Sequence, residues 1–241
     1  MSCLCSIIEL RQYTMVPGRR DDFVRIFDAE FIESQEALGI AVIGQFRDLD
    51  RDDRYVWMRG FRDMETRRAA LTSFYEGPVW AVHRDAANAT MTEWHDVLLL
   101  RPQWPAGGFA CNVGPRPMAG AMLSGSVIGV TVVPVARDRA AQAASGFETA
   151  LAPLAAAAGA EPLAAFVTET ASNTYPRLPI REEASVLVWF TRFADRDVER
   201  ARAERLAADA NWRSAWREAF GCEPGDARTL RLSPTARSLL R

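Results

Sequence analysis

The sequence predicts an α+β protein in which one structural unit occurs twice and closes into an α/β barrel within a single chain. Three observations carry that prediction. Alternating and helical stretches follow one another in the order β-α-β-β-α-β, that order recurs after residue 125, and tryptophans recur at matching points of both halves.

The first unit opens with SIIELRQYT (6–14), a strand in which apolar and polar residues take turns. Pro17-Gly18 ends it, and Asp21 or Asp22 is placed to cap the helix after it. In DDFVRIFDAEFIESQEAL (21–38), Phe23, Ile26, Phe27, Phe31 and Leu38 recur at helical spacing until Gly39. IAVIGQFR (40–47) and RYVWMRGF (54–61) read as a hairpin across the charged turn DLDRDD, whose run of charges is a solvated end. METRRAALTSFY (64–75) is a second helix. Gly77-Pro78 breaks the chain and starts a third, PVWAVHRDAANATM (78–91), with proline suited to its first turn. HDVLLLR (95–101) is the closing strand.

Residues 103–124 are rich in Gly, Pro and Ala without any period, and read as a linker or covering loop. Then the order repeats. SVIGVTVVPV (126–135) is a strand, and RAAQAASGFETALAPLAAAAG (139–159) a helix with a bend expected at Pro153. EPLAAFVTE (161–169) and SVLVWFTRF (185–193) pair across a long loop holding Pro176 and Pro179. DVERARAERLAA (197–208) and NWRSAWREAFG (211–221) are helices, and ARTLRLS (227–233) is the last strand. Trp57 falls opposite Trp189 when the third strands are aligned, and Trp80 and Trp212 both begin the added helix. Each unit has the ferredoxin-like order. The domains are therefore 6–102 and 125–233, a divergent second copy. A sheet covered by helices on one face needs a partner for the other, and here the second half supplies it. A homodimer through outer surfaces is compatible with this plan, and no residue specifies it.

Composition excludes several classes. A hydrophobic share of 49% supports a real core, and a net charge of −2 implies neither nucleic acid nor an anionic membrane as partner. All 29 basic residues are arginine, which excludes Schiff-base catalysis by lysine. Cys3, Cys5, Cys111 and Cys222 form no C-x-x-C pair, have no zinc spacing, and make a disulfide framework improbable in a chain of this size. No apolar run reaches a membrane span and the start lacks signal-peptide features, so a cytoplasmic location is expected. Phosphate loops, dinucleotide fingerprints and nucleophile elbows are absent, and neither metal nor cofactor is expected.

Strand alternation then sorts the first-half residues by face. Ile8, Leu10, Val56 and Met58 form an apolar set expected beneath the helices. Glu9, Arg11, Tyr13, Gln45, Trp57 and Arg59 form a polar-aromatic set expected to face the barrel interior, with Gln45 and Arg47 sharing the face of Ile43. Buried charges must be paired, so Glu9 can simply satisfy Arg11 or Arg59. As a site, the set would work differently. The arginines suit a carboxylate, phenolate or enolate, Tyr13 can donate to a carbonyl, and Trp57 and Trp80 can stack on a flat ring. The second half offers only Thr131 and Thr168 at the corresponding strands, so a ligand would be held mostly by the first half. His83 is a packed helix residue, a general base with an ordinary pKa near 6.5 or, in a third reading, a metal or haem ligand. In the second case its ring should point to a cavity edged by Tyr13, Trp57 and Trp80. Tyr13 and Glu9 are the other proton-bearing candidates.

The stretches ELRQYTMVPGRRDDF, GQFRDLDRDDRYVWMRGF and FYEGPVWAVHRDAAN, followed by HDVLLLRP, resemble the NIPSNAP family of the dimeric α/β-barrel superfamily. The resemblance covers residues 6–102 well; beyond 125 only element order and tryptophans carry it. It implies the barrel fold, within a superfamily that includes cofactor-free oxygenases, haem-binding enzymes and lactone isomerases. Two functions are expected. One is an enzyme acting without a cofactor on a flat, oxygenated, polyketide- or quinone-like molecule by oxygenation, isomerisation or cyclisation. The other is a non-enzymatic ligand-binding or protein-interaction module on the same barrel.

Overall fold

A computed structural model describes residues 4–104, 107–111, 114–118 and 120–241. Its eight strands form a closed antiparallel barrel in the order β1-β3-β2-β8-β5-β7-β6-β4. β1 (Ile7–Met15), β2 (Ala41–Asp48), β3 (Arg54–Phe61) and β4 (Met91–Pro102) make one side. β5 (Val127–Pro134), β6 (Pro162–Thr168), β7 (Val186–Phe193) and β8 (Arg228–Pro234) make the other. Two seams join them: Phe46 to Asp48 of β2 against β8, and Leu100 to Pro102 of β4 against β6. Each seam pairs three residues and so joins the two half-sheets edge to edge.

Helices cover the outside. α1 (Arg20–Ile26) runs through a wide π-turn at Phe27–Phe31 into α2 (Ile32–Glu36). α3 (Met64–Tyr75) and α4 (Pro78–Asn88) come after β3. In the second half, α5 (Ala140–Gly146), a π-turn at Phe147–Leu151 and α6 (Ala152–Ala157) repeat the first arrangement, and α7 (Arg196–Ala208) and α8 (Ala210–Phe220) come after β7. Asp63 caps α3 by accepting from Thr66 N, and Asp195 caps α7 by accepting from Val198 N.

Local boundaries differ from the sequence expectation where pairing overrides pattern. α1 begins at Arg20, so Asp21 and Asp22 lie in its first turn, where they complement the helix dipole without capping it. α4 stops at Asn88 and β4 starts at Met91, because β1 continues alongside it and Met15 pairs with Met91 past a bulge.

The two faces of the first-half sheet are the reverse of those expected. Ile8, Leu10, Val56 and Met58 point into the barrel and pack with Val130, Phe166, Val188 and Phe190 of the second half. Tyr13 and Trp57 face outward and meet Phe23, Phe27, Phe31 and Phe74 of the helices. Alternation groups residues by face but does not say which face goes in. A small barrel is filled by side chains. Its lumen offers Glu9 no partners, whereas the helix side does. Gln45 pairs with Trp57 and Phe46 with Val56, while a bulge after Val42 turns Ile43 into the barrel; Ile43 and Gln45 therefore do not share a face.

A disulfide, improbable from the sequence, joins Cys5 to Cys111. Leu4 bridges Ala110 and Cys5 N donates to Phe109 O, so this part of the 103–124 segment lies against the start of β1. Cys3 and residues 105, 106, 112, 113 and 119 of that segment lie outside the described residues. Among the described residues, no helix is long and apolar enough to cross a membrane.

Candidate functional site

The helix side of the first-half sheet holds a buried charged cluster. Antiparallel register sets Glu9 opposite Arg59 and Arg11 opposite Trp57. Glu9 Oε2 accepts from Arg11 Nη1 at 2.7 Å and from Arg59 Nε at 2.8 Å, while Oε1 accepts from Arg67 Nε at 2.7 Å. All four side chains are fully buried. Burial alone would raise the Glu9 carboxyl, but the guanidinium groups of Arg59, Arg67 and Arg11 hold it far below the ordinary carboxylate range. Glu9 is therefore a fixed anion and a poor base.

The surrounding groups extend the cluster. Arg11 Nε donates to Tyr13 Oη at 2.8 Å, and burial keeps the Tyr13 hydroxyl protonated by raising its pKa, although Arg11 opposes that shift. Arg59 Nη1 donates to Gln35 Oε1 at 3.0 Å, and Gln35 Nε2 donates to Phe31 O. Arg59 also lies over the Trp57 ring at 5.0 Å. Arg67 Nη1 reaches Asn173 Oδ1 at 3.0 Å and Thr174 Oγ1 at 3.2 Å in the β6–β7 loop, and Tyr175 of that loop stacks on Tyr75. A second-half loop thus roofs the first-half cluster.

Charge does not balance here. Three guanidinium groups face one carboxylate, and Arg59 Nη2 and Arg67 Nη2 are buried with no protein partner. Trp57 Nε1 is likewise a buried donor without one. Beside them lies a small cavity of ≈ 30 Å³, lined by Tyr13, Phe31, Gln35, Trp57, Tyr75 and Trp80 among others. That is room for one or two waters.

The structure thus brings together Glu9, Arg11, Tyr13, Trp57, Arg59 and Trp80. Gln45 shares their face beside Trp57, buried, with neither amide atom bonded to protein. His83 does not line the cavity. Its Nε2 pairs with Glu30 Oε2 at 3.3 Å, its ring meets the edge of Phe31, and about a third of the side chain is exposed (32%). Sequence reasoning missed Arg67, Gln35 and the loop residues 173–175. Arg67 was findable, since it stands on the stripe of Ala70, Leu71 and Phe74 at helical spacing. The loop contacts have no sequence signal.

A closed α+β barrel with an aromatic, cationic site between sheet and helices defines the class of protein. Residues 8–119 match the NIPSNAP family. Solved structures of similar fold span nearly the whole chain. An anthrone oxidase-like protein is 14% identical, with 100% of this chain and 97% of that one covered at a TM-score of 0.62. A candidate monooxygenase of Fusobacterium nucleatum is 8% identical over 97% and 94% at 0.60, and one of Lactobacillus acidophilus 15% identical over 95% and 93% at 0.54. At such identities the likeness is one of fold. No curated protein matches the sequence.

Proposed function

We propose that the protein binds a small, flat, oxygenated molecule in anionic or enolic form at the first-half site and acts on it as a cofactor-free enzyme of the oxygenase or isomerase type. The carrying observation is the buried charge excess: three arginines around Glu9, with Nη2 of Arg59 and Arg67 unpartnered. Buried guanidinium groups without counter-charge are costly, and a ligand oxyanion would compensate them. Tyr13 and Trp57 would donate to its oxygens, and the Trp80 face would lie against its ring. Such an environment lowers the pKa of a bound enol or phenol. The resulting anion is the form that reacts with oxygen or isomerises.

Entry requires the cavity to open. Only Ala87 of α4 is buried, so that helix, with Trp80 at its start, is the element able to swing out. A non-enzymatic ligand-binding module is favoured by a different observation: Glu9 is neutralised and His83 lies outside, leaving no ready base. We also infer that the barrel is a tandem of ferredoxin-like units, 6–102 and 125–233. Both half-sheets run 4-1-3-2 in unit numbering, and both first helices carry the π-turn. Phe27 sits 4.8 Å from Trp57 as Phe147 sits 4.8 Å from Trp189.

The test is oxygen uptake and tryptophan quenching with hydroxylated polycyclic aromatics, anthrone first because an anthrone oxidase-like protein shares the fold. Trp57→Phe and Tyr13→Phe should each weaken binding about tenfold through loss of one hydrogen bond to a charged oxygen. Binding with uptake supports the enzyme, and binding without it the module. No binding by any anionic aromatic, or binding indifferent to both substitutions, refutes the site.

A further inference from the structure

The second half contains a larger cavity, ≈ 190 Å³, between its sheet and the helices α7 and α8. Its position has a chemical explanation, which rests on the tandem-unit reading of the barrel. Thr131 faces Trp189 in the ladder as Arg11 faces Trp57, and Gly129 faces Thr191 as Glu9 faces Arg59. Trp80 follows the capping Asp63 by 17 residues, and Trp212 follows the capping Asp195 by 17. By the same count Leu71 corresponds to Ala203 and Tyr75 to Ala207. The π-turn phenylalanines, Phe27 and Phe147, align Gln35 with Ala155. Gly129, Thr131, Thr191, Ala155, Ala203 and Ala207 all line the cavity. The second half has thus exchanged the charged cluster and its cover for small neutral residues, and the removed volume is the cavity. Glu199, the counterpart of Arg67, is held by Arg231 Nε at 3.1 Å and supplies no free charge.

One buried polar group beside the cavity lacks a protein partner. Trp216 lines the cavity at 2% exposure, and its Nε1 is buried with no protein partner. A buried indole N–H ordinarily finds an acceptor. The aromatic wall of Trp189, Trp212 and Trp216 adds flat apolar surface. An apolar cavity of about 150 Å³ accepts benzene. We propose that this cavity is a second ligand site, selective for a neutral single-ring aromatic molecule carrying one hydrogen-bond acceptor, which takes the Trp216 N–H. The chain would then carry two sites of opposite character, cationic in the first half and neutral in the second.

The experiment uses the full chain with indole-¹⁵N tryptophan, titrated with acetophenone and with ethylbenzene, a near-isostere lacking the carbonyl. Acetophenone should saturate in the millimolar range and move the Trp216 Nε1–H resonance downfield; ethylbenzene should bind about tenfold more weakly and leave that proton in place. Trp216→Phe should erase the preference between the two. Ala203→Leu with Ala207→Tyr, at two exposed positions of the mouth, should block both ligands while the thermal midpoint holds or rises. Trp57→Phe should change nothing here, so failure at the first-half site leaves this result readable. Non-saturable shifts, equal binding of the two probes with no Trp216 response, or undiminished binding in the filled variant would overturn the proposal.

Discussion

Replacing Glu9 by glutamine isolates the electrostatics of the cluster at nearly constant shape. Glu9 accepts hydrogen bonds from three arginines, at 2.7, 2.8 and 2.7 Å, and no part of it reaches solvent. The substitution leaves three buried guanidinium groups without an anion. Removing one partner from a buried ionic group costs about 3–5 kcal/mol. That is a large part of the roughly 5–15 kcal/mol by which a domain is stable. Arg67→Met makes the opposite change: it removes one excess positive charge and leaves Glu9 with two partners. Its cost should be the lost charged hydrogen bond to Glu9, about 1.5–3 kcal/mol, with about 0.5–1.5 kcal/mol for the loop contacts to Asn173 and Thr174, without an uncompensated buried charge. Urea unfolding followed by circular dichroism measures both. A Glu9→Gln loss under about 1 kcal/mol, or an Arg67→Met loss exceeding it, would refute the charge-excess argument and remove the main support for an anionic ligand.

Two carboxyl groups should give opposite pH dependences. Glu9 is depressed below its ordinary value of 4.5, so its stabilisation is present above that pH and is lost only as the pH falls toward the strongly acid range. Asp28 is pushed up to about 6 by burial against its ordinary 3.8, so its contribution is full below 3.8 and lost as the pH rises through 6. Asp28→Asn should therefore match the parent near pH 3.5 and exceed it in unfolding midpoint at pH 7.5. Equal midpoints at both would contradict the shift. Reducing Cys5–Cys111 opens a loop of 106 residues. The chain-entropy relation sets about 4.7 kcal/mol as the scale of that loss, measurable as a lower melting temperature with reductant that Cys111→Ser reproduces. His83→Ala removes a half-exposed pair with Glu30 and should shift stability by less than about 1 kcal/mol. Turnover of any substrate found should hold; a hundredfold loss would restore His83 as a proton-transfer group.

The parts of this fold that showed in the sequence are those fixed by local chemistry. METRRAALTSFY and RYVWMRGF occupy the predicted residues because their periods are unambiguous and Asp63 and the charged turn bound them. That Glu9, Arg11 and Tyr13 lie together showed for a related reason: they alternate on one strand and must share a face. Which face went inward was not legible. A run such as IELRQY supplies one apolar and one charged surface, and either could be covered. The decision came from residues far along the chain. Arg67 from α3, Gln35 from α2 and the loop at 173–175 converge on the outer face and satisfy the charges there. The disulfide was hidden likewise, since spacing says nothing about a segment folding back beside Cys5.

The inversion also changes what the site can be. Inside the lumen, the charged set would have faced Val130 and Phe190 and been closed off by both sheets. On the outer face it lies under α2, α3 and α4, and helices can move where a closed barrel cannot. The barrel supplies rigidity and the helices supply access, so a ligand needs only α4 and its Trp80 to yield. The same division would let the two proposed sites of unlike chemistry fit one chain. The lumen must remain apolar in both halves to hold the barrel shut, but each outer face answers only to its own helices. The first half carries Glu9 and three arginines on its outer face and the second Gly129, Thr131 and Thr191, over one shared apolar core.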